Sequence, residues 1–258
     1  MQFVEGVCCG AIGVRREFTG LNPVSAALMK AGAVLHVVKH NCVIEGYPLP
    51  KKGAAIVTAN HRSRYDPIIA SHLGFKAGRI IRTVVKKSLV VRGAYESREF
   101  LESIGDKADP ADYKPLEAFT MRGIGVIPIL RDNPGIDFAK QCFAVLSSAQ
   151  LLGIFLQETR NEAGLLRNLQ TGAAFFASHR RFHEVPVYAI AFSKNKAIVL
   201  KPFTYNELRA EHGREISVAE FTVIIGDRIA AALPKEVQED WNIGREIEFK
   251  RLSARNRA

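Results

Sequence analysis

Short apolar runs alternate along this chain with segments of helical period, and that alternation restricts the fold more than any other feature. Ala54 to Ala59, Ile80 to Val85, Gly125 to Leu130, Gly153 to Leu156, Val185 to Phe192 and Ala197 to Phe203 read as strands. Pro67 to Leu73, with Gly74 as its end, Ile136 to Leu151, Thr171 to Ser178 and a stretch opened by the capping box Ser217-Val-Ala-Glu220 and bounded by Pro234 read as helices. Strands that alternate with helices pair in parallel, so the predicted class is α/β: a single domain with a mixed, mostly parallel sheet flanked by helices. In such a sheet, ligands gather at the carboxyl ends of the strands.

Upstream, Asn22 and Pro23 form an N-cap and first helical position. Val24, Ala27, Leu28, Ala31, Val34, Leu35 and Val38 then share one arc, and Asn22, Ser25, Lys30 and His36 the other. Such an amphipathic helix either packs on the core or lies in the headgroup region of a bilayer, and the pattern alone favours the core slightly. Cys42-Val-Ile-Glu-Gly46 reads as an edge strand. Arg92 to Tyr113 is a charged excursion with a short helix expected around Ser97 to Ser103, and the chain ends in a basic tail, Lys250 to Arg257.

A formal charge of +10, from 36 Lys and Arg against 26 Asp and Glu, suits partners that carry phosphate. Nothing resembles an aromatic-interleaved basic stripe, a zinc spacing or an RNA-recognition signature, so nucleic acid is not expected. The cysteines (Cys8, Cys9, Cys42, Cys142) have no Cys-x2-Cys pairing and the histidines no His-Glu-x-x-His spacing, so no metal site or disulfide framework is expected, and reduced thiols fit a cytosolic compartment. No run reaches the roughly 18 apolar residues of a spanning helix, and Met-Gln-Phe-Val-Glu lacks the start of a signal peptide, so membrane contact is expected to be peripheral.

Chemistry concentrates in Asn60-His61-Arg62-Ser63-Arg64-Tyr65-Asp66, at a strand-to-helix corner. On a continuous helix, positions i and i+5 diverge by about 140°, so His61 and Asp66 meet only if the backbone bends between them. A neutral imidazole accepts a proton from an alcohol near neutral pH, and a carboxylate on its other nitrogen fixes the tautomer. Asp66 alone fits a helix N-cap equally well.

Four segments taken in order resemble the motifs of the glycerolipid acyltransferase family, which includes the 1-acyl-glycerol-3-phosphate acyltransferases. Asn60 to Asp66 is similar to its Asn-His-x-Ser-x-x-Asp, and Gly125-Val-Ile-Pro-Ile-Leu-Arg131 to its Gly-led strand ending in arginine. Phe155-Leu-Gln-Glu-Thr-Arg160 resembles Phe-Pro-Glu-Gly-Thr-Arg, and Val185-Pro186-Val187 its Val-Pro strand. The likeness spans roughly Val43 to Phe203. The third motif departs from the pattern, with Gln157 at the carboxylate position and Glu158 at the glycine. Either the backbone shifts so that Glu158 serves, or Gln157 serves as a neutral amide, or the acceptor differs.

The resemblance implies a glycerol-3-phosphate acyltransferase-like fold, with an N-terminal amphipathic segment (1–42), an acyltransferase domain (43–235) and a basic tail (236–258). It implies transfer of a fatty acyl group from acyl-CoA or an acyl carrier protein, as co-substrate and without a cofactor, to a lysophospholipid or glycerol phosphate at the cytoplasmic face of an anionic membrane. His61 and Asp66 would be catalytic, and Asn60, Ser63, Gly125, Arg131, Gln157, Glu158, Thr159, Arg160 and Pro186 would bind substrate. A catalytically drifted lipid-binding module is the alternative, and the retained His61 and Asp66 argue against it.

Overall fold

The computed structural model of the protein describes residues 21–94 and 114–255. Cys8, Cys9 and the Arg92 to Tyr113 excursion, apart from its first three residues, lie outside them. The strands are β1 (Val43–Gly46), β2 (Ala55–Ala59), β3 (Ile81–Lys86), β4 (Ile127–Ile129), β5 (Leu151–Phe155), β6 (Val187–Ser193) and β7 (Lys196–Val199). They form a seven-stranded sheet in the order β1-β7-β6-β2-β5-β3-β4. β6, β2, β5, β3 and β4 run parallel, β7 folds back antiparallel on β6, and β1 pairs parallel to β7 at the edge. The expected mixed, mostly parallel α/β sheet is therefore what the chain forms.

β2 is central, and all five of its residues are buried. Helix α2 (Asp66–Lys76) covers one face of the sheet, where Ala55, Val57 and Ala59 meet Ile69, Ala70 and Leu73. Gly74 does not end this helix, which runs on to Lys76. A Cβ at Gly74 would lie 3.0 Å from the Arg79 carbonyl and from the Ile81 side chain, so the glycine permits the close approach of α2 to β3. On the other face, Ile56, Leu152 and Ile154 pack with α4 (Gly135–Ser147), α5 (Gly172–Ala177), α7 (Val218–Ala231) and α8 (Lys235–Arg255).

Other expectations change. Helix α1 (Pro23–Lys39) is capped by Asn22 Oδ1, which accepts from the amides of Val24 and Ser25, but its apolar arc faces outward, with Leu35 66% and Val38 67% exposed. Of the face read as polar, Ser25 and His36 pack inward while Lys30 stays exposed. Ser25 fits against Gly123 at the end of α3 (Pro115–Gly123), where a Cβ would come within 2.0 Å of Ser25 Oγ, and His36 stacks on Tyr65 at 4.4 Å. Burial, reinforced by His40 and Lys39, holds the His36 imidazole below its usual range, consistent with a neutral ring in that stack. The sheet already has its covering helices, so α1 rests on α2 and α3 and leaves its oily side out.

Helix α6 (Tyr205–His212) was not foreseen, although Thr204 and Glu207 form its reciprocal capping box. At Ser217 only half of the expected box forms, because the Glu220 carboxylate pairs with Arg214. Where a basic tail was expected, residues 235–255 form the 21-residue helix α8, and the last three residues lie outside those described. Val237, Trp241 and Leu252 enter the core, and the Trp241 indole donates to Asp227. A stripe this narrow in a charged run gives little periodic signal. Trp241→Ala should cost about 3–5 kcal/mol in urea unfolding, whereas a solvated tail would give no change.

Candidate active site

The site is built where β2 leaves the sheet. Asn60 is wholly buried, and its carboxamide both donates to the Phe192 carbonyl (3.0 Å) and accepts from the Phe192 amide (2.7 Å), locking the end of β2 to β6. His61 follows. Its amide donates to Gln157 Oε1 (3.1 Å) and its carbonyl accepts from the Asn161 amide (2.8 Å), so the loop after β5 grips the residue from both sides.

The backbone then bends tightly around Asp66. One carboxylate oxygen, Oδ2, accepts from the amides of Arg62 (2.6 Å) and Ser63 (2.7 Å) and lies 3.0 Å from His61 Nδ1. Asp66 is buried, and Ser63 Oγ accepts from the Tyr65 amide to complete the turn. A carboxylate can only accept, so Nδ1 carries the imidazole proton and Nε2 is left as the basic nitrogen. Nε2 makes no hydrogen bond among the described residues. The ring stacks on Phe155 at 4.5 Å between centroids and its side chain is 16% exposed.

Because β2, β3, β4 and β5 are parallel, their carboxyl ends share one rim of the sheet. That rim carries His61 after β2, Lys86 and Lys87 at the end of β3, Arg131 after β4 and Arg160 after β5. Arg131 donates to the Glu158 carbonyl (3.1 Å), reaching from the loop after β4 to the loop after β5. Arg160 is exposed and makes no hydrogen bond or ion pair among the described residues, and Glu158 and Thr159 are half-buried beside it.

Several residues expected to bind substrate do other work. Asn60 and Gln157 use both ends of their amides on the protein itself. Gln157 Nε2 donates to the carbonyls of Leu165 (3.0 Å) and Arg167 (3.1 Å), a task no carboxylate can perform. Glu158 costs no strain in place of glycine, since it is not among the residues with positive φ. Gly125, at φ +69, turns the chain into β4 at the amino edge, opposite Arg131. Pro186 also lies at the amino edge, where its carbonyl accepts from the Ile56 amide, away from His61. Phe155 and Asn161, which sequence reasoning did not single out, support the His61 ring and backbone. Among the described residues no cluster of His, Cys, Asp or Glu could hold a metal, and burial pushes the Cys142 thiol well above its usual range.

No family model and no curated protein matches the sequence. The fold is similar to the crystal structure of the 1-acyl-sn-glycerophosphate acyltransferase PlsC from Thermotoga maritima. The TM-score is 0.50 at 13% identity, over 80% of this chain and 78% of that one. At such identity the likeness is one of fold.

Gln157→Glu should destabilise the protein by about 3 kcal/mol in denaturant unfolding, because the carbonyls of Leu165 and Arg167 lose their donor and face a carboxylate at a buried position instead. A variant as stable as the wild type would show that the amide is not required there.

Proposed function

We propose that the protein is an O-acyltransferase. In this reading it moves a fatty acyl group from a thioester of coenzyme A or an acyl carrier protein to the hydroxyl of a lysophospholipid such as 1-acyl-glycerol-3-phosphate. The observation that carries the reading is the 3.0 Å contact between His61 Nδ1 and Asp66, which leaves Nε2 as a base. The fold it shares with an acyltransferase of that kind supports it.

His61 Nε2 takes the hydroxyl proton as the acceptor oxygen attacks the thioester carbonyl. When the tetrahedral intermediate collapses, the carbon–sulfur bond breaks and the imidazolium returns the proton to the leaving thiolate. Asp66 holds the ring and stabilises its charged form. Arg160, Arg131, Lys86 and Lys87 supply positive charge for the acceptor's phosphate, and a guanidinium suits that anion bidentately. No metal enters the mechanism.

Both substrates carry long chains, which favours work at a membrane surface. No helix among the described residues is long and apolar enough to cross a bilayer. The outward arc of α1, with Leu116 and Phe119 exposed on α3, gives a face for peripheral contact, and the excess of cations favours an anionic cytoplasmic leaflet.

Thiol release from acyl-CoA in the presence of lysophosphatidic acid tests the reaction. His61→Ala should lower turnover by about 10²–10⁴-fold with folding retained, and unchanged turnover would remove His61 as the base. Arg160→Ala should raise the acceptor KM about tenfold with little change in kcat, since it removes binding common to ground and transition states.

A further inference from the structure

Glu248 is a carboxylate buried on α8, in a stretch whose composition suggests a solvated surface. Its two oxygens serve successive backbone amides: Oε1 accepts from Asn168 (3.0 Å) and Oε2 from Leu169 (3.1 Å). Arg251, one turn on, donates twice to Glu248 Oε2 (3.2 and 2.8 Å) and once to the Leu169 carbonyl. Asn168 sits at φ +55, in the left-handed region that asparagine tolerates better than most side-chain-bearing residues. Arg167 is paired in addition with Asp240 of α8.

The held segment leads back to the site. Its carbonyls at Leu165 and Arg167 accept from Gln157 Nε2, and Gln157 Oε1 accepts from the His61 amide. Attachment of α8 does not need this carboxylate. Val237, Trp241 and Leu252 already bury the helix, and Asp227 binds Trp241 and Arg245. Burying an acid costs free energy that an apolar side chain would avoid, so its presence points to the two amides it holds.

We propose that Glu248, locked by Arg251, is a positioning residue for His61, acting through residues 165–169 and Gln157 without touching substrate. Its consequence for turnover rests on the acyl-transfer reading; its effect on the His61 backbone does not.

Hydrogen exchange at individual amides, read alongside steady-state kinetics, tests this on the full chain. In Glu248→Ala, exchange at the His61 and Asn161 amides should accelerate at least about tenfold while the β6 amides stay protected, because only a local opening is favoured. Acyl-transfer kcat should fall about tenfold with both KM values unchanged, as a misplaced base affects the chemical step. Glu248→Gln keeps one carbonyl acceptor and should fall between. Asp227→Asn, which loosens α8 elsewhere, should lower Tm without changing His61 exchange. Wild-type exchange at His61 in Glu248→Ala, or equal acceleration in Asp227→Asn, would overturn the proposal. If Glu248→Ala does not fold, Arg251→Gln is held to the same pattern. The exchange measurement needs no substrate. A protein inactive on acyl thioesters would lose the proposed reaction, and the positioning role would still be decided by exchange.

Discussion

The carboxamide of Gln157 donates to two carbonyls and accepts from one amide, and the placement of the site depends on that arrangement. The carbonyls, Leu165 and Arg167, belong to the loop after β5; the amide belongs to His61, after β2. β2 and β5 are neighbours in register, so the sheet brings the two loops together, and the amide fixes how they meet. Buried polar groups are worth most when every donor and acceptor is matched, and Gln157 is matched at both ends. With the His61 backbone held, the turn to Asp66 need only aim the ring.

That turn was legible because it is local. Asp66 lies only five positions after His61, and the corner between an apolar run and a proline-led helix supplies the bend. The alternation of strands and helices was equally legible, since burial of β2 on both faces leaves a continuous apolar run. What could not be read depends on partners far away in sequence. Asn60 looks like a substrate ligand until Phe192 takes both ends of its amide, and Pro186 until the register of β6 with β2 sets it at the wrong end of the sheet. Helix α8 hides its apolar stripe among charges, and Glu248 gives no signal until its amides are seen.

Helix α1 is instructive for a different reason. Its amphipathic period was read correctly and its orientation was not, because periodicity says that one side differs from the other without saying which side the protein needs. Where α2 and α3 present a small-residue seat at Gly123 and an aromatic one at Tyr65, Ser25 and His36 are the better fit. The leucines and valines remain outside.

The distances in sequence between the parts of the site order its assembly. The bend from His61 to Asp66 spans five residues and can form early, whereas the bond from His61 to Gln157 spans 96 and that from Asn168 to Glu248 spans 80. Loop closure over such separations is slow relative to local turns. The local turn from His61 to Asp66 can therefore form before the longer contacts to Gln157 and from Asn168 to α8 close around it. Folding intermediates in which α8 has not docked would keep the sheet and the Gln157 and Asp66 contacts of His61 while lacking the Glu248 hold on residues 168 and 169, so the surroundings of the imidazole would tighten in stages.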